Sequence, residues 1–331
     1  MAVVDPAGAD PLLVVLLGPT GSGKTALSLT LAEHFRDPHG GPLGEIVSCD
    51  SVAVYRDLEI GTAKPSPAER ARVPHHCIDI VSPANEYSAG QYQRDGRAAI
   101  AAITARGHVP IVTGGTGLYL RALLQGLFAG PQRSEELRAR LRRSEERHGV
   151  RDRDRAGWLS KLLRRLDPQA AGRIHANDTP KLIRAIEVSL QTRQPITEAW
   201  TAGAEPLTGY RILRIGLAPD RASLYRRIDA RAAAMFEHGL VEETAQVIAR
   251  YGAERRVFEA LGYRQAREYL AGALTLPDAV VAAQRGHRQY AKRQLTWFHR
   301  EPDVLWLSGF GDDPAIQQSA IDALSAGLRD T

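Results

Sequence analysis

The apolar run Leu12-Leu-Val-Val-Leu-Leu17 leads directly into Gly18-Pro-Thr-Gly-Ser-Gly-Lys-Thr25, and an amphipathic segment, Lys24–Phe35, follows at once. This is the pattern G-x-x-x-x-G-K-T in the strand–loop–helix setting where it carries meaning. Glycines let backbone N–H groups turn inward onto phosphate oxygens, and the positive end of the following helix adds to the attraction. Gly18, Pro19, Thr20, Gly21, Ser22, Gly23, Lys24 and Thr25 therefore form a candidate phosphate cradle. Lys24 would neutralise an outer phosphate, and the Thr25 hydroxyl would bind a Mg²⁺ ion that bridges phosphates. Such a P-loop says only that some di- or triphosphate binds.

The stretch around it reads as alternating strands and helices. Strands are expected at Leu12–Leu17, Glu45–Ser48, Cys77–Val81 and Val109–Thr113, with helices at Lys24–Phe35 and Ser88–Arg106. That alternation implies a parallel sheet with right-handed crossovers. After Gly130 the composition changes. Ser134–Arg165 is dominated by Arg and Glu, with Leu137 and Leu141 at helical spacing, and Asn177 or Asp178 is placed to cap a helix at Thr179–Leu190. A return strand is expected at Arg211–Leu217, several helices between Ala222 and about Arg300, then a short strand at Val304–Leu307 and a final helix. The expected fold class is α/β, a P-loop NTPase-like parallel sheet core with a helical insertion domain. Residues 11–125 and 205–331 would form the core, and residues 126–204 the insertion.

Composition narrows the class. A chain of 331 residues, 44% of them apolar, can bury a real core, which excludes disorder, collagen and a small disulfide scaffold. Cys49 and Cys77 have neither metal-type nor redox-type spacing, as expected in a reduced cytosol. His75, His76 and Cys77 are consecutive, and consecutive side chains rarely point at one ion. The longest apolar run is too short to span a bilayer, and Asp5 and Asp10 precede it where an export signal would be basic. A soluble cytoplasmic protein with no membrane partner is expected. The 43 Lys and Arg against 38 Asp and Glu leave a surplus of +5, which permits RNA as a partner without demanding it. Arg makes up 38 of the 43; that suits phosphate recognition, but a GC-rich genome explains it as well.

Two further strand ends carry chemistry. Ser48-Cys49-Asp50-Ser51 closes the second strand with an acid, at the edge that opens on the crevice beside the P-loop. Asp50 would there take a proton from an acceptor, or else cap a turn. Val109–Thr113 runs into Gly114-Gly-Thr-Gly117, where Thr116 would donate to a phosphate or bridging oxygen, or else stabilise the turn. That strand lacks the terminal Asp that holds the Mg²⁺ shell in ordinary P-loop ATPases and GTPases, and no Asn-Lys-x-Asp motif is present. A switch GTPase or motor ATPase is disfavoured. A transferase that uses the phosphates as handle or leaving group is favoured, with a small-metabolite kinase and a non-catalytic RNA-binding module as alternatives.

Several blocks together carry a resemblance. Gly18–Thr25, Ser48–Ser51, Tyr55-Arg56, Ile60-Gly-Thr-Ala-Lys-Pro65, Gly114–Tyr119, Arg173–Asp178, Leu261-Gly-Tyr-Arg264 and Tyr290-Ala-Lys-Arg-Gln-Leu-Thr-Trp297 resemble the tRNA dimethylallyltransferase (IPP transferase) family, in the family's order. The resemblance implies transfer of a dimethylallyl group from dimethylallyl diphosphate to N6 of an adenosine. That adenosine is 3′-adjacent to the anticodon in tRNAs reading codons that begin with U, and diphosphate is released. The P-loop would hold the donor's diphosphate, with Mg²⁺ as cofactor, although such proteins are often labelled ATP-binding from the motif alone. By motif, Asp50 resembles the general base, and Thr116 and Arg231 resemble the residues that stabilise the leaving diphosphate. Arg231 lies in Arg227-Ile-Asp-Ala-Arg231, matching the family's R-I-x-x-R; without that match it is one Arg among 38.

The resemblance also implies the tRNA anticodon stem-loop as partner and a monomer as the acting form. Asp50, Ser51, Val52 and Ala53 correspond to one tRNA-contacting segment. Pro180, Lys181, Leu182, Ile183 and Arg184 correspond to a second, and Glu259, Ala260, Leu261, Gly262, Tyr263 and Arg264 to a third, with Thr116 and Arg138 as further contacts. The target base must leave the anticodon-loop stack to reach Asp50. Arg285, Arg288 and Lys292, at i, i+3 and i+7, read as a basic stripe suited to phosphates. Three positions depart from the family's pattern: Ala53 where Gln is frequent, Lys181 where Arg is usual, and the acid Glu259. They bear on tRNA specificity rather than on the reaction.

Overall fold

The apolar run that opens the chain has to be buried on both sides, and the fold does that. In the computed structural model, which describes residues 10–36, 41, 43–128, 130–148, 157–202 and 204–327, β1 (Leu12–Leu17) is buried along its whole length. Alternate side chains of a strand point to opposite faces. Leu13, Val15 and Leu17 join one core with Tyr92, Ile100 and Leu123, while Leu12, Val14 and Leu16 join another with Leu27, Leu31 and Leu324. A strand covered on both faces reads as continuously apolar, as this one does.

The other strands are β2 (Gly44–Ser48), β3 (His75–His76), β4 (Val109–Thr113), β5 (Arg211–Leu217) and β6 (Val304–Leu307). They pair in the order β3-β2-β4-β1-β5-β6, every pairing parallel, with Val14 opposite Ile111 and Leu213. A common direction brings the P-loop after β1, Asp50 after β2 and the Gly114–Thr116 turn after β4 to one edge. The last two come so close that a Cβ on Gly114 would collide with the Cys49 carbonyl. Only glycine fits.

The strand expected at Cys77–Val81 does not form. Pairing stops at His76 because Cys77 and Asp79 adopt left-handed φ values of 60° and 57°, which break the pleat. Only an isolated bridge joins Val81 to Tyr55. Asp79 is held there by Lys64 and Arg70.

Helix starts follow their caps. Ser88 and Gln91 form a capping box for Ala89–Ala105, Asp178 accepts from Lys181 N to start Thr179–Thr192, and Asp220 starts Arg221–Glu237. The described residues divide into two compact units. One runs up to Leu124 and resumes at Leu207; the other is Gln125–Pro206. The second unit is helical, built around Leu141, Leu159, Leu163, Leu182, Ile183 and Ile186. Its buried Asp167 accepts from Ala170 N and from both the N–H and hydroxyl of Thr197, each at 2.9 Å.

Glu45 is the charged exception in β2, at the end remote from the P-loop. Its buried carboxylate receives Arg106 at 2.8 Å, with His76 Nε2 at 2.6 Å and His108 Nδ1 at 2.7 Å. Burial opposes its ionisation, but the hydrogen bonds from His76, Arg106 and His108 outweigh this and hold the carboxyl below its usual range. Such a group contributes stability that is complete above its unfolded pKa and is lost as pH falls through the folded value. Glu45→Gln is expected to lower stability by about 1–3 kcal/mol near neutral pH. In urea titrations the deficit relative to wild type should shrink below about pH 4; a deficit that stays constant in acid would assign the effect to shape instead of charge.

Candidate active site

The edge where β1, β2 and β4 end opens as a cleft of about 410 Å³. Thr20, Gly21, Gly23, Lys24 and Thr25 of the P-loop line it. Gly23 adopts a φ of +89°, and a Cβ there would lie 2.7 Å from Gly311 N. Lys24 folds back over its own loop, donating from Nζ to the Gly18 and Pro19 carbonyls at 2.8 Å each. It forms no ion pair with a described residue. Burial, and then the charge of Arg231, pull its pKa down to about 7, with Asp50 opposing. Ser22 turns away from the cleft and is buried, its hydroxyl unpartnered.

Arg231 reaches the cleft from the helix Arg221–Glu237. Like Lys24, it makes no ion pair with a described residue. One turn earlier, Arg227 is fixed by both carboxylate oxygens of Asp312 at 2.8 Å and lies over Phe310. Burial lowers the Arg231 pKa; Asp50 opposes the shift and Arg227 adds to it. Two cations thus converge without a counter-ion of their own.

Asp50 serves as turn cap and cleft residue together. Its Oδ1 accepts the N–H groups of Val52 and Ala53 at 2.8 and 3.2 Å in an Asx turn. Its Oδ2 has no hydrogen bond to a described residue, and both Asp50 and Ala53 line the cleft. Thr116 stands just behind that lining. Its hydroxyl accepts from Ser51 N at 3.0 Å and donates to Ser51 Oγ at 3.3 Å, while its N–H donates to the Cys49 carbonyl at 3.2 Å. Thr25 lies on the cleft with Ser48 and Asp50, a set of hard oxygen donors that fits Mg²⁺. Among the described residues no group of three His, Cys, Asp or Glu could hold a metal by itself.

The other expected positions are dispersed. In the Gln125–Pro206 unit, Arg138 and Arg184 both bind the buried Glu187 carboxylate at 2.7 Å. Lys181 pairs with Asp178, Pro180 is exposed in the first turn of its helix, and Leu182 and Ile183 are core. In the larger unit Tyr263 is fully buried, its hydroxyl donating to Glu243 at 2.6 Å and accepting from Gly61 N at 3.1 Å. Gly262 is buried beside it; Ala260, Leu261 and Arg264 are half-buried, as are Ser51 and Val52. Glu259 is exposed and lies 3.3 Å from Arg267. Of the basic stripe, Arg288 pairs with Asp229, while Arg285 and Lys292 are exposed.

Sequence reasoning missed Tyr290 and Gln294, which reach the cleft from the long helix Leu276–Phe298, and the Arg227–Asp312 pair beside the P-loop. The one sign of the first two was their place in the Tyr290–Trp297 block. It also missed Lys64, Glu69 and His75 among the residues that line the cleft.

A parallel α/β fold with a P-loop, two unpaired cations and one available carboxylate defines a P-loop transferase site. A model of the IPP transferase family matches residues 53–301. A tRNA dimethylallyltransferase of Koribacter versatilis is 59% identical over 316 residues, covering 96% of this chain and 99% of the relative. One from Solibacter usitatus is 51% identical over 317 residues, covering 96% and 99%. The crystal structure of the tRNA isopentenylpyrophosphate transferase of Bacillus halodurans superposes with a TM-score of 0.69 at 34% identity, covering 96% of this chain and 97% of that one. A eukaryotic dimethylallyltransferase captured acting on tRNA gives 0.77 at 26% identity, covering 96% and 80%. The chain belongs to the IPP transferase family, and its activity is that of a tRNA dimethylallyltransferase. No helix among the described residues is long and apolar enough to cross a membrane.

The electrostatics make a prediction that needs no tRNA. A diphosphate in this loop would be held by the ammonium form of Lys24, so affinity for inorganic diphosphate is expected to fall as pH rises through about 7, by up to about tenfold per pH unit. Arg231→Ala removes one cause of the depressed pKa and should move that break to higher pH. Calorimetric titrations of both proteins check this, since the ligand's own ionisation cancels in the comparison; superimposable pH profiles would dissociate Arg231 from Lys24.

Proposed function

We propose that the cleft transfers the dimethylallyl group of dimethylallyl diphosphate to N6 of the adenosine 3′-adjacent to the anticodon, with Asp50 as base and the P-loop, Thr116 and Arg231 on the departing diphosphate. The observation that carries this reading is the pairing state of the cleft: among the described residues Lys24 and Arg231 have no ion pair, and Asp50 keeps one oxygen unengaged. The N6 lone pair forms the new N–C bond at the allylic carbon. The C–O bond breaks, and its electron pair stays on the diphosphate. The N6 proton passes to Asp50 Oδ2. Negative charge grows on the diphosphate as this happens, so Lys24 and Arg231 bind the transition state more strongly than the ground state. The Thr116 hydroxyl, donating over a long 3.3 Å to Ser51 Oγ, re-aims that proton at a diphosphate oxygen. Thr25 would hold Mg²⁺, which when bound supplies further neutralisation of the phosphates.

On this reading the anticodon stem-loop is the macromolecular partner of a cytoplasmic monomer. Pro180, Lys181, Arg184 and Arg138 contact it from the 126–204 insertion domain, and Glu259, Ala260, Leu261 and Arg264 from the core; Leu182, Ile183, Gly262 and Tyr263 are buried and shape those segments from within. The target base flips out of the loop, where unstacking costs little. Incubation with radiolabelled dimethylallyl diphosphate and unmodified tRNA should label the RNA. Asp50→Ala is expected to lower turnover by about 10²–10⁴-fold with tRNA binding largely intact; near wild-type turnover would remove Asp50 from the role of base. Arg231→Ala should slow the chemical step in single-turnover experiments more than it weakens donor binding, and the reverse pattern would take Arg231 off the leaving group.

A further inference from the structure

Gln294 is buried, 4% exposed, yet it borders the cleft, and both ends of its amide are engaged. Its Oε1 accepts the Thr20 N–H of the P-loop at 2.8 Å. Its Nε2 donates to the Gly115 carbonyl at 2.8 Å, and the Tyr290 hydroxyl, one turn earlier on the same helix, donates to that carbonyl at 3.0 Å. A Cβ on Gly115 would collide with Nε2, so the turn must carry glycine for the amide to reach it. The partners fix the orientation of the amide, because a flip would set N–H against N–H and oxygen against oxygen.

The series continues on the other side of Gly115. The Thr116 N–H donates to the Cys49 carbonyl, and the Thr116 hydroxyl accepts from Ser51 N. Cys49 and Ser51 are the two chain neighbours of Asp50. A run of hydrogen bonds, continued along the Gly115–Thr116 backbone, therefore joins the loop that cradles phosphate to the strand end that carries the carboxylate, and Gln294 is its central member. Among straight side chains of this length at neutral pH, glutamine supplies an acceptor for Thr20 and a donor for Gly115 at once. A lysine or arginine has no acceptor; an ionised glutamate has no donor.

We infer that Gln294 is a positioning residue for the prenyl transfer, holding the diphosphate-binding loop and Asp50 at a fixed separation while the allylic carbon passes between leaving oxygen and attacking nitrogen. This rests on the assignment of Asp50 as base and of the P-loop to the donor diphosphate. Displacement at carbon needs the three reacting atoms in line, and a misplacement of about 1 Å costs on the order of 10²-fold in rate. Rigid coupling of the two walls therefore acts on the chemical step, with each wall still able to bind its own ligand. The Thr20 N–H, engaged by Gln294, is also withdrawn from the set of amides that face phosphate.

The test compares Gln294→Met, which keeps the volume and removes both hydrogen bonds, with Gln294→Glu, which keeps an acceptor for Thr20 N. Gln294→Met is expected to lower the single-turnover rate of prenyl transfer by about 10- to 100-fold. Dissociation constants for inorganic diphosphate and for tRNA should stay within about threefold of wild type. For Gln294→Glu the ratio to the wild-type rate should rise as pH is lowered. A protonated carboxyl can again accept from Thr20 and donate to Gly115, and the charges around it, Lys24, Arg231 and Asp50, together with the Tyr290 phenol, are the same in both proteins. Tyr290→Phe, which deletes the second donor to Gly115 together with the phenol's contacts to Thr116 and Gln294, should show a smaller loss of the same kind and serves if Gln294→Met does not fold. A single-turnover rate within about threefold of wild type in the folded variant, or a loss confined to diphosphate affinity, would overturn the inference. If the wild-type protein itself failed to label tRNA, the proposed reaction would fall instead.

Discussion

Two cations held together without a counter-ion among the described residues are the constraint around which the cleft is organised. Lys24 and Arg231 repel each other and are both desolvated, so the free protein carries an electrostatic penalty in its cleft. Asp50 offsets part of it. The neighbouring charges are arranged so that none offsets the rest: Arg227 is fixed by Asp312, Lys64 by Glu59 and Asp79, and Arg288 by Asp229. Pairing Arg227, Lys64 and Arg288 while these two stay without an ion pair among the described residues leaves a hole in the charge distribution that fits a polyanion. With no carboxylate paired to it among the described residues, the P-loop lysine turns back on the Gly18 and Pro19 carbonyls.

The local half of this arrangement was legible in the sequence, and the distant half was not. Leu12–Thr25 announces strand, loop and helix because the pattern is contiguous and each residue type has a backbone reason to be there. Asp50 was legible as an acid at a strand end; the turn-capping role belongs to its Oδ1, and its Oδ2 makes no hydrogen bond to a described residue. The failed strand at Cys77–Val81 shows the limit of apolar runs: two left-handed residues and the ion pairs of Asp79 override the pattern. Arg231, Tyr290 and Gln294 lie on helices whose exposed and buried faces look alike in an Arg-rich chain. Only motif resemblance singled out Arg231, and nothing in residue type marked Gln294. Its role depends on Thr20 and Gly115, 274 and 179 residues away.

The surplus of +5 acquires a clearer meaning once the partners are known. In the Gln125–Pro206 unit, Arg138 and Arg184 share one buried carboxylate, Glu187, which also accepts from Ser134 N at 2.8 Å. Burial opposes ionisation of Glu187, but Arg138 and Arg184 overcome it and hold the carboxyl at about 2. Two guanidiniums around one carboxylate leave a single net positive charge, already oriented and already partly desolvated. Such a group loses less on meeting a phosphate than a solvated arginine does. Total charge is a poor guide to the surface here because several of the described basic residues are held against carboxylates in pairs and triads.

The connection between the two units shows how a helical insertion can sit inside this chain without loosening the cleft. The core chain leaves at the end of the helix Gly117–Leu124 and resumes at Leu207, and the Leu207 N–H donates to the Leu124 carbonyl at 2.8 Å. Inside that junction a Cβ on Gly126 would collide with the Glu205 carbonyl, and Phe128 bridges Ala204 antiparallel. The two strands of the stem are thus zipped together from their first residues. An excursion whose ends already touch adds only a slowly growing closure entropy to the core, whatever its length. β5 can then pair with β1 over its full length, Leu12 to Leu17 against Arg211 to Gly216, as though the intervening residues were a short turn. The stem therefore lets the Gln125–Pro206 unit vary in length and surface while the pairing of β5 with β1 stays in register.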